Sequence, residues 1–528
     1  MVMLKLQRLG LNLSAVNKCN ILYKYKYSVF TLNQNSTHPQ KNMKIAPQLN
    51  FKTKILCTMG PAIATEEKII QLIQAGASAF RLNMSHGAYK HHSEYVSIIR
   101  SAEEKLGIHV PIIADLQGPK LRVAELAEGV ISLVNGREMF LADTGVFRAK
   151  KMAVPPNVIP VEYPTVAKDV KKGDVILFDD GLLKVQVLDS DGVMVRVLVA
   201  NGGLLKSRKG LNLPNIKVSQ PALSTKDKQD VRFAIEQKCD YVALSFVRKP
   251  EDILQLRKLL QQLKSEMWII SKIEKPEALL TLEEIVKVSD AVMVARGDLG
   301  VEIPAAQVPT VQKRIISMCN RFGKPVITAT QMLESMVQNP RPTRAEASDV
   351  ANAVMDGTDV VMLSAETSVG AYPVETVSYM RMICSEAESQ LLSDEVRLRR
   401  PVRGLSTKEQ VTDLIAGAAA QIAEDAKISA IASLSLSGET ALLLSHRRPI
   451  APIIAITEHP HIARRVGLFW GVSGFLVNKV SATDETIENI KKELVERGFL
   501  ASGARIVITI GRPLVARSRT NMLSIEQV

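Results

Sequence analysis

Trp268–Leu279 reads WIISKIEKPEAL. It opens as a strand, with three apolar residues in a row, and Pro276 stops the pattern. Side chains alternate along a strand, so Lys272 and Glu274 share one face and Ile273 takes the other. A strand that begins as core therefore ends by presenting a cation beside an anion.

Seven further runs have the same form: KILCTMG (54–60), AFRLNMS (79–85), PIIADLQG (111–118), YVALSFV (241–247), AVMVARG (291–297), PVITATQ (325–331) and VVMLSAE (360–366). Amphipathic stretches such as TEEKIIQLIQAGA (65–77) and TKDKQDVRFAIEQKC (225–239) separate most of them. Strand–helix alternation predicts a parallel sheet with helices outside it, and eight units make a closed (β/α)8 TIM barrel.

After DLQGPKLRV (115–123) the grammar becomes all-β: VISLVNGREMFLA (130–142), DVILFDDGLLKVQVLD (174–189) and GVMVRVLVANGGLL (192–205). A small β-barrel lid domain is expected there, inserted in a loop over the active face. Beyond the eighth unit a helix and a charged stretch lead to strands ISAIASLS (428–435), PIIAIT (452–457), SGFLVN (473–478) and RIVITIG (505–511). The expected organisation is a basic extension over 1–50, a barrel over 51–119 and 220–386, the lid over 120–219, and a C-terminal α/β effector domain over 387–528.

The 528 residues are 46% hydrophobic and 23% charged, as in a soluble globular enzyme, and no run is long enough to span a bilayer. Cys19, Cys57, Cys239, Cys319 and Cys384 lack metal-ligand spacing, which argues for a reducing compartment and against structural zinc. Of the +13 net charge, residues 1–50 hold seven Lys/Arg and no acid. That leader reads as an organelle import signal or as an extension ahead of a start at Met43, with a cytoplasmic enzyme the main expectation. With aromatics at 4%, neither a nucleic-acid partner nor a membrane is expected.

In a (β/α)8 barrel the chemistry sits at the carboxyl ends of the strands. Here those ends carry Arg81, Asn83, Ser85 and His86, then Asp115, Ser245, Lys272 with Glu274, Arg296 with Asp298, Thr330, and Ser364 with Glu366. A lone strand-end charge is usually a solvated edge, but consecutive ones are not accidental. Glu274 and Asp298 suit a shared hard cation such as Mg2+. Arg81 and Lys272 suit a phosphate. Lys272 could instead form a Schiff base, although the adjacent carboxylate favours a charged ammonium. The RGD within ARGDLGVEIP (295–304) lies at a strand end, where backbone N–H groups could take a carboxylate, and is not read as an adhesion motif.

TKILCTMGPA (53–62), RLNMSHG (81–87), ADLQGPKLRV (114–123), SRKGLNLP (207–214), LSFVRK (244–249), ISKIEKPEAL (270–279), VMVARGDLGVEIP (292–304), ATQMLESM (329–336), PRPTRAEASDVANAVMDGTDVVMLSAETSVGAYPVE (340–375) and APIIAIT (451–457) follow one another in an order that resembles the pyruvate kinase family. The resemblance covers about Lys52 to Val528. It implies a homotetramer that moves phosphate from phosphoenolpyruvate to ADP, giving pyruvate and ATP. It implies Mg2+ (or Mn2+) on Glu274 and Asp298, with Lys272, Arg81 and Thr330 catalytic. Gly297, Asp298 and Ser245 fall beside the substrate, and Asn83, His86, Arg122 and Lys209 on the nucleotide side. Many members bind K+ at positions matching Asn83, Ser85, Asp115 and Leu116. This chain reads DLQGPK where those read DTKGPE, so Lys120 is expected to replace the ion and K+ to be dispensable. A phosphorylated-metabolite effector is expected at Ser435, Ser437, Gly438 and Thr440, with Arg512, Arg517 and Arg519 near. The rivals are another enolate-handling barrel lyase or aldolase, and a silent or RNA-binding paralogue.

Overall fold

The computed structural model describes residues 51–528 apart from 120, 215, 217, 394–400, 479–482 and 514–517. The basic extension, Lys120 and Arg517 lie outside the described residues.

Eight strands form the closed barrel: β1 (Lys54–Thr58), β2 (Ala79–Asn83), β3 (Ile112–Asp115), β4 (Tyr241–Leu244), β5 (Trp268–Ile273), β6 (Ala291–Ala295), β7 (Val326–Ala329) and β8 (Val360–Leu363). Each lies parallel to the next, and β1 pairs with β8 to close the ring. All eight runs read from the sequence are strands. The helices start at local signals. Thr65 Oγ1 accepts the Lys68 amide, Ser224 and Thr343 head capping boxes, and Pro276 opens the helix after β5.

Alternation sorts the strand residues into two layers. Ile55, Phe80, Ile112, Val242, Ile269 and Val292 face the helices. Leu56, Ala79, Ile113, Tyr241, Ile270 and Met293 fill the interior. At the amino ends of the strands this inner layer is apolar apart from Lys54, whose ammonium donates to the Val472 carbonyl at 2.7 Å, and one of its apolar members comes from far along the chain. Leu468, on the turn Val466–Leu468, packs fully buried among the barrel residues. Tyr241 Oη donates to the Arg465 carbonyl beside it at 2.9 Å.

Residues 130–212 form a two-stranded ribbon and a six-stranded sheet around their own core, with Leu141, Ile159, Tyr163, Phe178 and Val197 inside. Leu121–Ala124 bonds to both edges of that sheet, at Lys209 and Leu211 on one side and at Pro160 and Glu162 on the other. The segment that leads into the insertion is thus the stave that closes it.

The C-terminal sheet contains β9 (Ala430–Leu434), β10 (Ile453–Thr457), β11 (Val472–Leu476), β12 (Arg505–Ile510) and β13 (Met522–Gln527), in the order β11-β10-β9-β12-β13. The first four run parallel, and β13 is antiparallel to β12. Sequence reading found the four and missed β13. MLSIEQ lies half exposed at the edge and has no apolar run to announce it. Among the described residues no helix is long and apolar enough to cross a membrane. Cys57, Cys239, Cys319 and Cys384 are buried free thiols.

Candidate active site

The inner layer changes character toward the carboxyl ends of the strands. Arg81, Asp115, Ser245, Lys272 and Glu274 continue the inward register of Ala79, Ile113, Ala243 and Ile270. The charged end of WIISKIE is therefore the upper storey of the same interior whose floor is mostly hydrocarbon.

Lys272 Nζ is the hub. It donates to Ser245 Oγ at 2.7 Å, lies 2.9 Å from Glu274 Oε1, and makes an ion contact with Asp115 Oδ1 at 3.2 Å. The Ser245 hydroxyl in turn donates to the Leu116 carbonyl at 2.8 Å. Arg81 Nε donates to Asp115 Oδ2 at 2.7 Å and its Nη1 to Thr58 Oγ1 at 3.2 Å. The Phe246 amide donates to Glu274 Oε2 at 2.7 Å. Two cations and two anions thus occupy a space where Asp115 and Glu274 are each 1% exposed. Such a set persists only when balanced.

Burial would lower the Lys272 pKa, but Asp115 and Glu274 outweigh it and raise the value. The amine stays an ammonium, which disfavours the Schiff-base alternative. Burial likewise opposes ionisation of Asp115, and Lys272 and Arg81 overcome it, holding the carboxyl below its ordinary range. Glu274 goes the other way. Burial pushes it up, Lys272 pulls it back, and the Asp298 charge adds to the rise. Glu274, with the Asp298 carboxylate near enough to oppose its ionisation, makes with Asp298 a donor set that fits a hard divalent cation.

Asp298 lies in the first turn of the short helix Arg296–Glu302 that leaves β6. The Gly297 amide before it donates to Thr330 Oγ1 at 2.7 Å. Alternation alone would send Thr330 outward with Val326 and Thr328. A left-handed backbone at Thr330 (φ 67°) and Gln331 (φ 54°) breaks the alternation and brings the hydroxyl to Gly297. Arg296 holds that turn. Its guanidinium donates to the carbonyls of Ala329 (3.3 Å), Thr330 (2.7 Å) and Gln331 (3.3 Å), and it pairs with Asp349 at 2.6 Å. Sequence reading counted Arg296 among the strand-end charges and gave it no task. Its signal was parity, because Ala295 is the last inward residue of β6.

Not every strand-end residue joins the cluster. Glu366 is buried and accepts the Ser364 and Leu333 amides, so it braces a turn. Asn83 Oδ1 accepts the Ser85 amide at 3.2 Å, and the His86 carbonyl accepts His92 Nε2 at 2.9 Å. Both are on the barrel side. Arg122 and Lys209 are carried by the lid, where Arg122 donates to the Arg208 carbonyl and Lys209 pairs with Asp179 at 2.7 Å. Three functional contacts escaped sequence reading: Thr58 under Arg81, the Phe246 amide on Glu274, and Arg248, which donates to the Val218 and Gln220 carbonyls at the lid's return.

In the C-terminal sheet, Ser435 Oγ accepts the Gly438 amide at 3.0 Å and Ser437 Oγ the Glu439 amide at 3.4 Å. Thr440 shares a hydrogen bond of 2.6 Å with Thr520. Arg519 lies 3.4 Å from Glu439, an acid within the loop itself. Gly438 has φ 88°, and a Cβ there would stand 3.2 Å from Val466, on the turn that ends in Leu468.

Comparison with known proteins gives the same body plan. Residues 50–377 match the family model "Pyruvate kinase, barrel domain", and residues 413–526 match "Pyruvate kinase, alpha/beta domain". The chain is 42% identical over 480 residues to a pyruvate kinase of Geobacillus stearothermophilus, covering 90% of this chain and 80% of that protein. Over 484 residues it is 42% identical to a pyruvate kinase of Staphylococcus aureus (strain MRSA252), with the same shares. The crystal structure of a pyruvate kinase from Cryptosporidium parvum superposes with a TM-score of 0.82 at 36% identity, covering 90% of this chain and 96% of that one. The matches span barrel, insertion and C-terminal sheet, and this chain belongs to the pyruvate kinase family of phosphotransferases.

Proposed function

We propose that the chain transfers the phosphoryl group of phosphoenolpyruvate to ADP, giving pyruvate and ATP as the last step of glycolysis. The observation that carries this is Lys272, held by Ser245, Asp115 and Glu274 with Arg81 beside it. Fixed cations backed by buried carboxylates are preorganised for a multiply charged phosphate ester. Arg81 and Lys272 take the phosphoryl oxygens. The bond from phosphorus to the enol oxygen breaks as the terminal ADP oxygen bonds to phosphorus. The electron pair left behind makes an enolate, which Lys272 stabilises and which takes a proton at carbon through a relay that includes Thr330. The Gly297 and Asp298 amides hold the substrate carboxylate, with Gly297 exchanging its Thr330 bond for it. Glu274 and Asp298 would hold Mg2+ (or Mn2+), which when bound supplies charge neutralisation at the substrate oxygens. Asn83, His86, Arg122 and Lys209 bind the nucleotide from both sides of the lid cleft.

K+ is dispensable in this reading. Ser245 already uses the Leu116 carbonyl, and cations already flank both oxygens of Asp115. A phosphorylated metabolite binds the Ser435–Thr440 loop with Arg519, supported by the closeness of that loop to the turn under the barrel, where a Cβ on Gly438 would stand 3.2 Å from Val466. The homotetramer that the family resemblance implies is part of this reading, and Met355 and Met382, about half exposed on adjoining helices, are apolar surface that such an assembly could cover. The domain boundaries stated above belong to the same reading.

The test is pyruvate formation from phosphoenolpyruvate and ADP with Mg2+ in K+-free buffer. Turnover there is expected. Turnover only after K+ is added would keep the reaction and overturn the K+ reading. No turnover by folded protein under either condition would favour a silent paralogue.

A further inference from the structure

The lid meets the barrel at a shared oxygen. Asn212, at the end of the lid strand Leu211–Asn212, donates its Nδ2 proton to Glu302 Oε1 at 2.9 Å. Lys275 Nζ donates to the same oxygen at 2.6 Å. Glu302 is 4% exposed, and its Oε2 has no hydrogen-bond partner among the described residues.

The neighbours of this contact give it meaning. Glu302 is the last residue of the helix Arg296–Glu302, whose first turn holds Gly297 and Asp298. Lys275 directly follows Glu274, and its ammonium lies 6.0 Å from the centre of the Phe246 ring. The Phe246 amide is the donor to Glu274 Oε2. One buried carboxylate therefore joins the lid to both segments that carry the acid pair.

We propose that Glu302 is a lid latch, a positioning residue through which seating of the lid and alignment of Glu274 with Asp298 become one event. A buried carboxylate needs donors, and losing one from a charged hydrogen bond is costly. With the lid lifted, Glu302 keeps Lys275 alone. The carboxylate thus favours the seated lid, and a seated lid fixes the helix that carries Asp298. The proposal rests on Glu274 and Asp298 as the metal-holding pair. It also assigns an asymmetry between substrates. Groups for phosphoenolpyruvate sit on the barrel, whereas the nucleotide must bridge barrel and lid, so the latch acts on ADP.

The experiment compares N212D, E302Q and the N212D/E302Q double variant with the wild-type enzyme. N212D sets an acid against Glu302. It is expected to raise KM for ADP about tenfold while KM for phosphoenolpyruvate stays within about twofold. Amide hydrogen exchange, measured without ligand or metal, should quicken at Leu211–Asn212 and leave the barrel strands unchanged. The double variant restores a donor–acceptor pair across the contact and should recover both readouts relative to N212D. Wild-type exchange and wild-type KM for ADP in N212D would overturn the latch. So would equal rises in both KM values with exchange quickened across the barrel, the mark of a general structural role. Mn2+ affinity of E274Q tests the metal-holding pair by itself, so its failure is distinguishable from failure of the latch.

Discussion

Thr330 Oγ1 accepts the Gly297 amide at 2.7 Å from a backbone conformation that a β-branched residue rarely takes. The strain is of order 1–3 kcal/mol and is held by the surrounding contacts. Glycine takes that conformation freely but has no hydroxyl. T330G should therefore keep or raise the melting temperature while kcat falls about 100-fold. T330S should keep most activity. Thermal melts beside steady-state rates check both, and a T330G enzyme with wild-type kcat would remove Thr330 from the chemistry.

Arg296 reaches three consecutive carbonyls with one planar fork, which lysine cannot copy. R296K should lower stability by about 2–3 kcal/mol and kcat by about tenfold, because the Thr330 turn loses its clamp. Urea unfolding and kcat measure the two effects. Loss of stability with kcat intact would show that the turn keeps its shape without Arg296.

Removing Lys272 leaves Asp115 and Glu274 buried with less compensation. K272M should lower kcat at least about 1,000-fold and destabilise the ligand-free enzyme by about 3–5 kcal/mol. D115N in the same background removes one stranded charge and should recover part of the stability but none of the activity. Recovery of activity as well would argue against the ammonium as the working group.

The Glu274 carboxyl is raised above its ordinary value of 4.5. Folding therefore favours its protonated form, so its contribution to stability is full below 4.5 and is lost as pH rises through the raised value. A divalent cation takes only the ionised form and acts in the opposite sense. Mg2+ should raise Tm more at about pH 8 than at about pH 5. Equal shifts at both pH values, or the same shifts in E274Q, would place the cation elsewhere.

Much of this was legible beforehand, for a physical reason. Period-two alternation and eight βα units are sequence properties, so Lys272 and Glu274 could be put on one face before any fold was known. The resemblance supplied roles for Arg122 and Lys209, which share no strand with the cluster. What stayed hidden breaks the period or ignores it. Thr330 arrives by a left-handed turn, Phe246 acts through its amide, and β13 is an edge without an apolar run. Glu302 and Asn212 lie 90 residues apart, and no local pattern joins them. Lys120, on which the K+ expectation turned, lies outside the described residues.

Leu468 bears on how such a molecule can be divided. The family is described by two models, and a boundary between residues 377 and 413 suggests two transferable parts. The barrel's floor does not respect that boundary, because one of its own core residues, Leu468, belongs to the C-terminal part. A fragment ending at the barrel would begin life with a hole beneath Tyr241 and an exposed Trp268. A foreign C-terminal domain grafted on would have to bring a plug of matching shape. The two parts are separable in description but share one core.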